Sequence, residues 1–196
     1  YSINIIMGFK FNLEELRQKH NCINYLETGL WKPWSIKITL RDALKCNFKN
    51  ITNMEIREDF VSKGKEIFEK EISTGRLRLI NDDSTNLYKY LNHDYYSDKT
   101  LFFFDAHVDN TIIKNYKKKC PLFYELEALK TLQRKDNIIL IDDLRIIKTP
   151  FPWDETSYGN INFFESIKSK ILEINKDYKF ATLDGTIKDD VLLCYI

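Results

Sequence analysis

The chain has 196 residues, enough for one domain with a sizeable core. It is 43% hydrophobic and 30% charged with a formal net charge of +1, which reads as soluble and globular. That balance, without a basic stripe interleaved with exposed aromatics, argues against a nucleic-acid partner, and the lysines between Lys114 and Lys119 read as a solvated loop. Cys22, Cys46, Cys120 and Cys194 are widely spaced and form no CxxC pair. Neither a zinc site nor a disulfide scaffold is expected, and buried thiols in a reducing, cytoplasmic setting are the default. No run of about 18 apolar residues predicts a membrane span, and no signal peptide is seen. The chain starts at Tyr1 without Met. The expectation is a single domain over 1–196, excised from a larger protein, with 1–21 an N-terminal helical extension.

Helical and strand patterns alternate. Phe11 to His20 reads as a short amphipathic helix. Cys22 to Leu26 is a strand ending at Glu27-Thr28-Gly29, and Ser35 is placed to cap the next helix through Ile36, Leu40 and Leu44. Ile51 to Ile56 is a second strand. Glu58 to Ile72 is a helix closed by Gly75. Arg76 to Ile80 is a third strand, followed by Asn81-Asp82-Asp83-Ser84 and a helix to about Asn92. Leu101 to Phe104 is a fourth strand and 108–119 a polar loop. Pro121 opens a helix carrying Leu122, Leu126, Leu129 and Leu132. Asn137 to Ile141 is a fifth strand, Thr149 to Trp153 a Pro-rich loop, and Ile161 to Asn175 a helix. Tyr178 to Leu183, the turn at Asp184-Gly185, and Val191 to Ile196 form an antiparallel hairpin. Strand–helix units with a terminal hairpin predict an α/β fold: a Rossmann-like, doubly wound, seven-stranded sheet with helices on both faces.

Two strands end abruptly in acid: Leu101-Phe102-Phe103-Phe104 runs into Asp105-Ala106-His107, and Ile138-Ile139-Leu140-Ile141 into Asp142-Asp143. Such strands are buried on both faces. Ligands of open α/β sheets bind beyond the carboxyl ends of the strands. Asp105, Asp142 and Asp143 are therefore expected on one edge, where close carboxylates repel unless a proton or cation sits among them. An oxygen-only set suits Mg²⁺ or Mn²⁺. The plainer reading of each acid is a helix cap or loop residue.

On these motifs the chain resembles the class I S-adenosylmethionine-dependent methyltransferases over most of residues 22–196. Glu27-Thr28-Gly29 resembles the first-strand motif beneath the methionine part of the cofactor. Glu55 matches the acid that accepts from the ribose hydroxyls, and Asp83-Ser84 the pair beside the adenine. Asp105-Ala106-His107, Cys120-Pro121-Leu122 with Glu125-Leu126, and Ile141-Asp142-Asp143-Leu144-Arg145 are similar to the second half of the metal-dependent, macrocin-type sugar O-methyltransferases. In that group an Asp after strand four and an Asp-Asp pair after strand five hold Mg²⁺. The matching positions are Asp105, Asp142 and Asp143. One departure stands out: where the first-strand motif has a second glycine, this chain has Pro33 in Gly29-Leu30-Trp31-Lys32-Pro33-Trp34-Ser35. Proline fixes φ and removes a donor, so the loop must pass the cofactor differently, with Trp31 or Trp34 able to close over it.

The resemblance implies S-adenosylmethionine as methyl donor, a sugar hydroxyl of a glycan or glycoside as acceptor, and fusion to glycosyltransferase domains. His107 stands where that group has its proposed base, and a neutral imidazole can serve near pH 7. Arg145 and Trp153 are candidates for touching the acceptor, though Arg145 can equally pair with a nearby acid. Two alternatives stay open. Asp105-Ala106-His107 also reads as an acid-x-His motif of a metal-dependent, nucleotide-sugar glycosyltransferase, and Pro33 allows a non-catalytic cofactor-binding module.

Overall fold

The structure is a computed structural model, and it describes residues 9–106, 120–148 and 161–196. Its centre is a seven-stranded sheet. In chain order the strands are β1 (Asn24–Thr28), β2 (Asn50–Glu55), β3 (Leu77–Asn81), β4 (Thr100–Phe104), β5 (Ile138–Ile141), β6 (Lys179–Leu183) and β7 (Val191–Tyr195). Their spatial order is β3-β2-β1-β4-β5-β7-β6. The first five pair in parallel, and β7 runs antiparallel to both β5 and β6. The expected doubly wound sheet with its terminal hairpin is therefore the observed one. The connections from β1 and from β3 leave toward opposite sides, so the crevice at the β1/β4 boundary is the topological switch point.

Alternation along each buried strand feeds two cores. Leu26, Phe102, Phe104, Ile139 and Ile141 point to one face, where α5 (Leu122–Leu129) and α7 (Phe163–Ile174) cover them. Tyr25, Leu101, Phe103, Ile138 and Leu140 point to the other, beneath α1 (Leu13–Lys19) and α2 (Thr39–Lys45). Every residue of β1, β4 and β5 is buried, as expected of strands covered on both faces. The remaining helices are α3 (Glu58–Ile67), α4 (Glu69–Ser73) and the single turn α6 (Leu144–Ile147).

Three local expectations change. The helix read over 58–72 breaks at Phe68, which leaves helical geometry (φ −109°, ψ 27°) and turns its ring into the second core. The helix read after Ser84 is instead a pair of 3₁₀ segments, Ser84–Lys89 and Asp94–Ser97, tightened by i→i−3 bonds such as Asn86 N to Asp83 O at 2.9 Å. Ser35 does not cap α2. Its hydroxyl accepts from Lys37 N at 3.2 Å in a turn, and α2 begins only at Thr39.

Gly29 closes β1 at φ +92°. A Cβ there would lie 2.9 Å from the Asp105 carbonyl oxygen, so β1 and β4 approach this closely only with glycine. Gly29→Ala is expected to destabilise the fold by about 1–3 kcal/mol, read as a lower urea midpoint. An unchanged midpoint would mean that this approach is not under constraint.

Candidate functional site

The sheet's carboxyl edge is built by hydrogen bonds that extend the ladder past the strands. Gly29 N donates to Met54 O at 2.8 Å, Asp105 N to Thr28 O at 3.2 Å, and Asp142 N to Phe104 O at 3.2 Å. The first polar residues after β1, β4 and β5 are thus held in register at one edge.

Glu27 is buried at 1% exposure on the α2 face. The Thr39 hydroxyl donates to its Oε1, and the Tyr25 hydroxyl donates to its Oε2 at 3.2 Å. Burial pushes its pKa up to about 8, against those hydrogen bonds. Asn53, its neighbour across β2, donates to Gly29 O at 3.2 Å, while Asn53 Oδ1 is buried without a partner.

Glu55 ends β2. Its Oε2 accepts from Leu30 N at 2.8 Å and Trp31 N at 3.3 Å, and its Oε1 from Arg57 N at 2.8 Å. Burial raises its pKa, and those three N–H groups pull it back. The residue expected to receive the ribose therefore also holds the β1–α2 loop. Arg41 holds the same loop from the other side, donating to Ser35 O at 2.9 Å and Pro33 O at 3.1 Å.

After β3, Asp83 caps the first 3₁₀ turn through Thr85 N at 2.9 Å, and Ser84 is buried beside it. Ser84 and Thr28 both face Glu125, which projects from α5 and is 1% exposed. Burial pushes Glu125 to about pKa 8, opposed by the Thr28 and Ser84 hydroxyls. Its Oε1 and Thr28 Oγ1 are buried without satisfactory hydrogen bonds. Unsatisfied buried oxygens thus flank β1 on both faces, Asn53 Oδ1 beside Glu27 and Glu125 Oε1 beside Thr28, and a bound polar ligand is an ordinary remedy for unsatisfied atoms. The residues fit a cofactor with several polar groups.

The acids after β5 meet the terminal hairpin. Asp142, Asp143 and Asp190 each bring a carboxylate oxygen within 4.8 Å of the others. Asp143 stands in left-handed backbone geometry (φ 62°, ψ 37°) at the start of α6. Arg145 pairs with Asp143 at 2.6 Å and with Asp190, so its guanidinium faces acids. Asp190 is fully buried and also accepts Arg145 N at 2.9 Å. Asp105 stands next to this group: burial raises its pKa well above the ordinary value, and the charges of Asp142, Asp143 and Glu27 add to the rise. One guanidinium is set against several carboxylates, all donors are oxygen, and the set fits a hard divalent cation. The mutually close oxygens are those of Asp142, Asp143 and Asp190, with Arg145 set on the latter two, and Asp105 stands beside them.

The structure thus brings Glu27, Thr28, Gly29, Glu55, Asp83, Ser84, Asp105, Asp142, Asp143 and Arg145 to one edge. His107 and Trp153 lie outside the described residues. Sequence reasoning missed Asp190, which has no spacing relation to Asp142, and gave Glu125 no role. In the sequence Glu125 stands in the Glu125-Leu126 motif and as one of two acids, with Glu127, in the otherwise apolar helix stretch Leu122 to Leu129.

Comparison with protein-family models gives no match, and comparison with curated proteins gives none at a meaningful level. Solved structures do match. An O-methyltransferase from Bacillus cereus in complex with SAH is 16% identical, with a TM-score of 0.57 over 94% of this chain and 78% of that one. An O-methyltransferase from Streptomyces achromogenes, involved in tomaymycin synthesis and solved with SAM, is 12% identical, with a TM-score of 0.56 over 94% and 77%. A SAH-bound methyltransferase from Podospora anserina is 16% identical, with a TM-score of 0.53 over 92% and 74%. At such identities the likeness speaks for the fold: this chain has the class I methyltransferase fold. Among the described residues, no helix is long and apolar enough to cross a membrane.

Glu27 and Glu125 keep their protons in the fold at pH values where the unfolded chain has released them. The stability they contribute is full below the ordinary value of 4.5 and is lost as pH rises toward about 8. Urea midpoints should fall across that window. Glu27→Gln combined with Glu125→Gln, which imitates the neutral acids, should flatten the fall. An equally steep fall in the double variant would assign it to other groups.

Proposed function

We propose that this chain is an S-adenosylmethionine-dependent O-methyltransferase acting on a sugar hydroxyl of a glycan or glycoside, assisted by Mg²⁺ or Mn²⁺. The observation that carries the cofactor reading is the set of buried polar groups at the carboxyl ends of β1 and β2 and on α5, at the switch point of a class I methyltransferase fold: Glu27, Thr28, Asn53, Glu55 and Glu125. The sugar acceptor rests on the motif resemblance.

The sulfonium cofactor supplies an activated methyl group, so the protein has little covalent chemistry to do. Its residues must align an acceptor hydroxyl with the departing sulfur. Glu27-Thr28-Gly29 and Glu55 would hold the methionine and ribose parts, and Asp83-Ser84 the adenine side. Asp105, Asp142 and Asp143 would hold the cation, which stabilises negative charge developing on the acceptor oxygen. Arg145, fixed by Asp143 and Asp190, keeps the acid cluster from carrying its whole charge unbalanced. His107 takes the hydroxyl proton as general base, and Trp153 is the candidate for stacking on the sugar.

A non-catalytic cofactor-binding module is the second reading. Pro33, in the place of the first-strand motif's second glycine, favours it, and it predicts cofactor affinity without turnover. The nucleotide-sugar alternative needs neither Glu55 nor the terminal hairpin, and both are integral to this fold.

The deciding experiment offers S-adenosylmethionine and nucleotide sugars separately in calorimetry, then follows labelled methyl transfer to a panel of glycosides. S-Adenosylmethionine should bind and nucleotide sugars should not; the reverse would move the chain to the glycosyltransferase class. Turnover should fall with a chelator and return with Mg²⁺ or Mn²⁺, and Asp142→Asn or Asp143→Asn should raise the metal requirement sharply. Full activity in chelator would leave these acids a structural role only. His107→Ala should cut turnover by about 10²–10⁴ and leave cofactor affinity nearly intact. Wild-type turnover in that variant would remove His107 from the mechanism.

A further inference from the structure

Glu55 and the loop beyond Gly29 form one connected unit. An ionised carboxylate offers about four acceptor positions. Leu30, Trp31 and Arg57 N–H groups take three of them, at 2.8, 3.3 and 2.8 Å. A ribose presents two adjacent hydroxyl donors, so both cannot reach Glu55 while all three N–H bonds stand. The longest of the three comes from Trp31, whose φ of +54° is left-handed, a conformation that a bulky side chain rarely adopts. Releasing Trp31 N–H would free an acceptor position and let this residue relax.

The loop carries its own reporters. Trp31 and Trp34 are 38% and 52% exposed, and both set their rings edge-on to Phe60, with centroids 6.3 and 5.5 Å away. Arg57, the third donor to Glu55, lays its guanidinium 3.7 Å from the centroid of the same Phe60 ring. Leu30 anchors the base of the loop: it is 2% exposed, and a Cβ on Gly64 of α3 would lie 3.1 Å from its Cδ2. The weaker hydrogen bond, the strained residue and both exposed tryptophans therefore lie together after Leu30, in the loop whose Pro33 and Ser35 carbonyls Arg41 holds.

We propose that Glu55 is a latch for this loop: it pins Trp31 while the ribose site is empty, and a ribose diol displaces Trp31 N–H from it, swinging Trp31 and Trp34. The proposal rests on the cofactor reading above and adds a cost to it, since cofactor entry must break a bond that the free protein already makes.

The test uses the whole chain labelled with 5-fluorotryptophan. Its three tryptophans give three fluorine resonances, assigned by single Trp→Phe variants. S-Adenosylhomocysteine is titrated by calorimetry and by fluorine NMR in parallel. The Trp31 and Trp34 resonances should shift with the calorimetric midpoint. S-Adenosylhomocysteine that binds and leaves both resonances in place overturns the latch and spares the cofactor reading; no calorimetric binding removes both. In a second arm, Glu55→Gln has one acceptor oxygen and cannot receive Arg57 on one side and the loop on the other. Its unliganded Trp31 and Trp34 resonances should already stand displaced toward the bound positions. Resonances unchanged from the wild type would show that Glu55 does not hold the loop.

Discussion

Two backbone hydrogen bonds, Asp105 N to Thr28 O and Asp142 N to Phe104 O, carry the ladder one residue past the last apolar position of β4 and β5, and the whole site depends on them. They convert a change of composition along the chain into a change of place. The apolar run lies between two helical layers, and the first acid after it is held at the edge by the neighbouring strand. Gly29 permits this at the β1/β4 boundary, because any larger residue would meet the Asp105 carbonyl. Strand register, and not loop conformation, sets where Asp105 and Asp142 start.

The edge is electrostatically expensive. Glu27 and Glu125 are buried with raised pKa values on opposite faces of β1, and Asp105 is raised further by its acidic neighbours. A fold selected for stability alone would place apolar side chains at such positions. Asp190 shows how part of the charge is contained: it accepts the Arg145 backbone and side chain together, while Arg145 reaches Asp143. The antiparallel hairpin thereby closes the sheet and fixes, through Asp190, the guanidinium that offsets part of the charge of the acids after β5. Gly185 in its turn comes so near Asp142 that a Cβ would lie 3.3 Å from Oδ1.

The strands were legible because burial on both faces leaves a signature in a single run: apolar residues stop and acids begin, as at Phe104-Asp105 and Ile141-Asp142. Glu27 and Glu55 belong to more mixed strands, Asn24–Thr28 and Asn50–Glu55, and come to the same edge through the parallel pairing of β1 with β2. What escaped depends on distant partners. Asp190 lies 45 residues from the Arg145 that it anchors, and nothing local marks it. Glu125 reads as an ordinary helix acid until α5 is packed over β1, with Thr28 and Ser84 beside its carboxyl. Ser35 carries the chemistry of a cap, yet Arg41 and Glu55 hold the loop on both sides and delay α2 to Thr39. Local propensity yielded there to long-range hydrogen bonds.

The same loop explains how the chain manages without the second glycine of the first-strand motif. The turn after β1 has two positive-φ residues, Gly29 and Trp31, and the second is not a glycine. Proline at position 33 contributes no donor, so the loop's N–H groups that reach Glu55 come from Leu30 and Trp31, upstream of it. Its carbonyl is free to accept, and Arg41 takes it. The turn is therefore stabilised by side chains of β2 and α2 in place of intrinsic backbone freedom. A glycine at that point would give a loop indifferent to its surroundings. A strained tryptophan tied to the cofactor-facing acid gives one whose conformation depends on what else that acid is asked to bind.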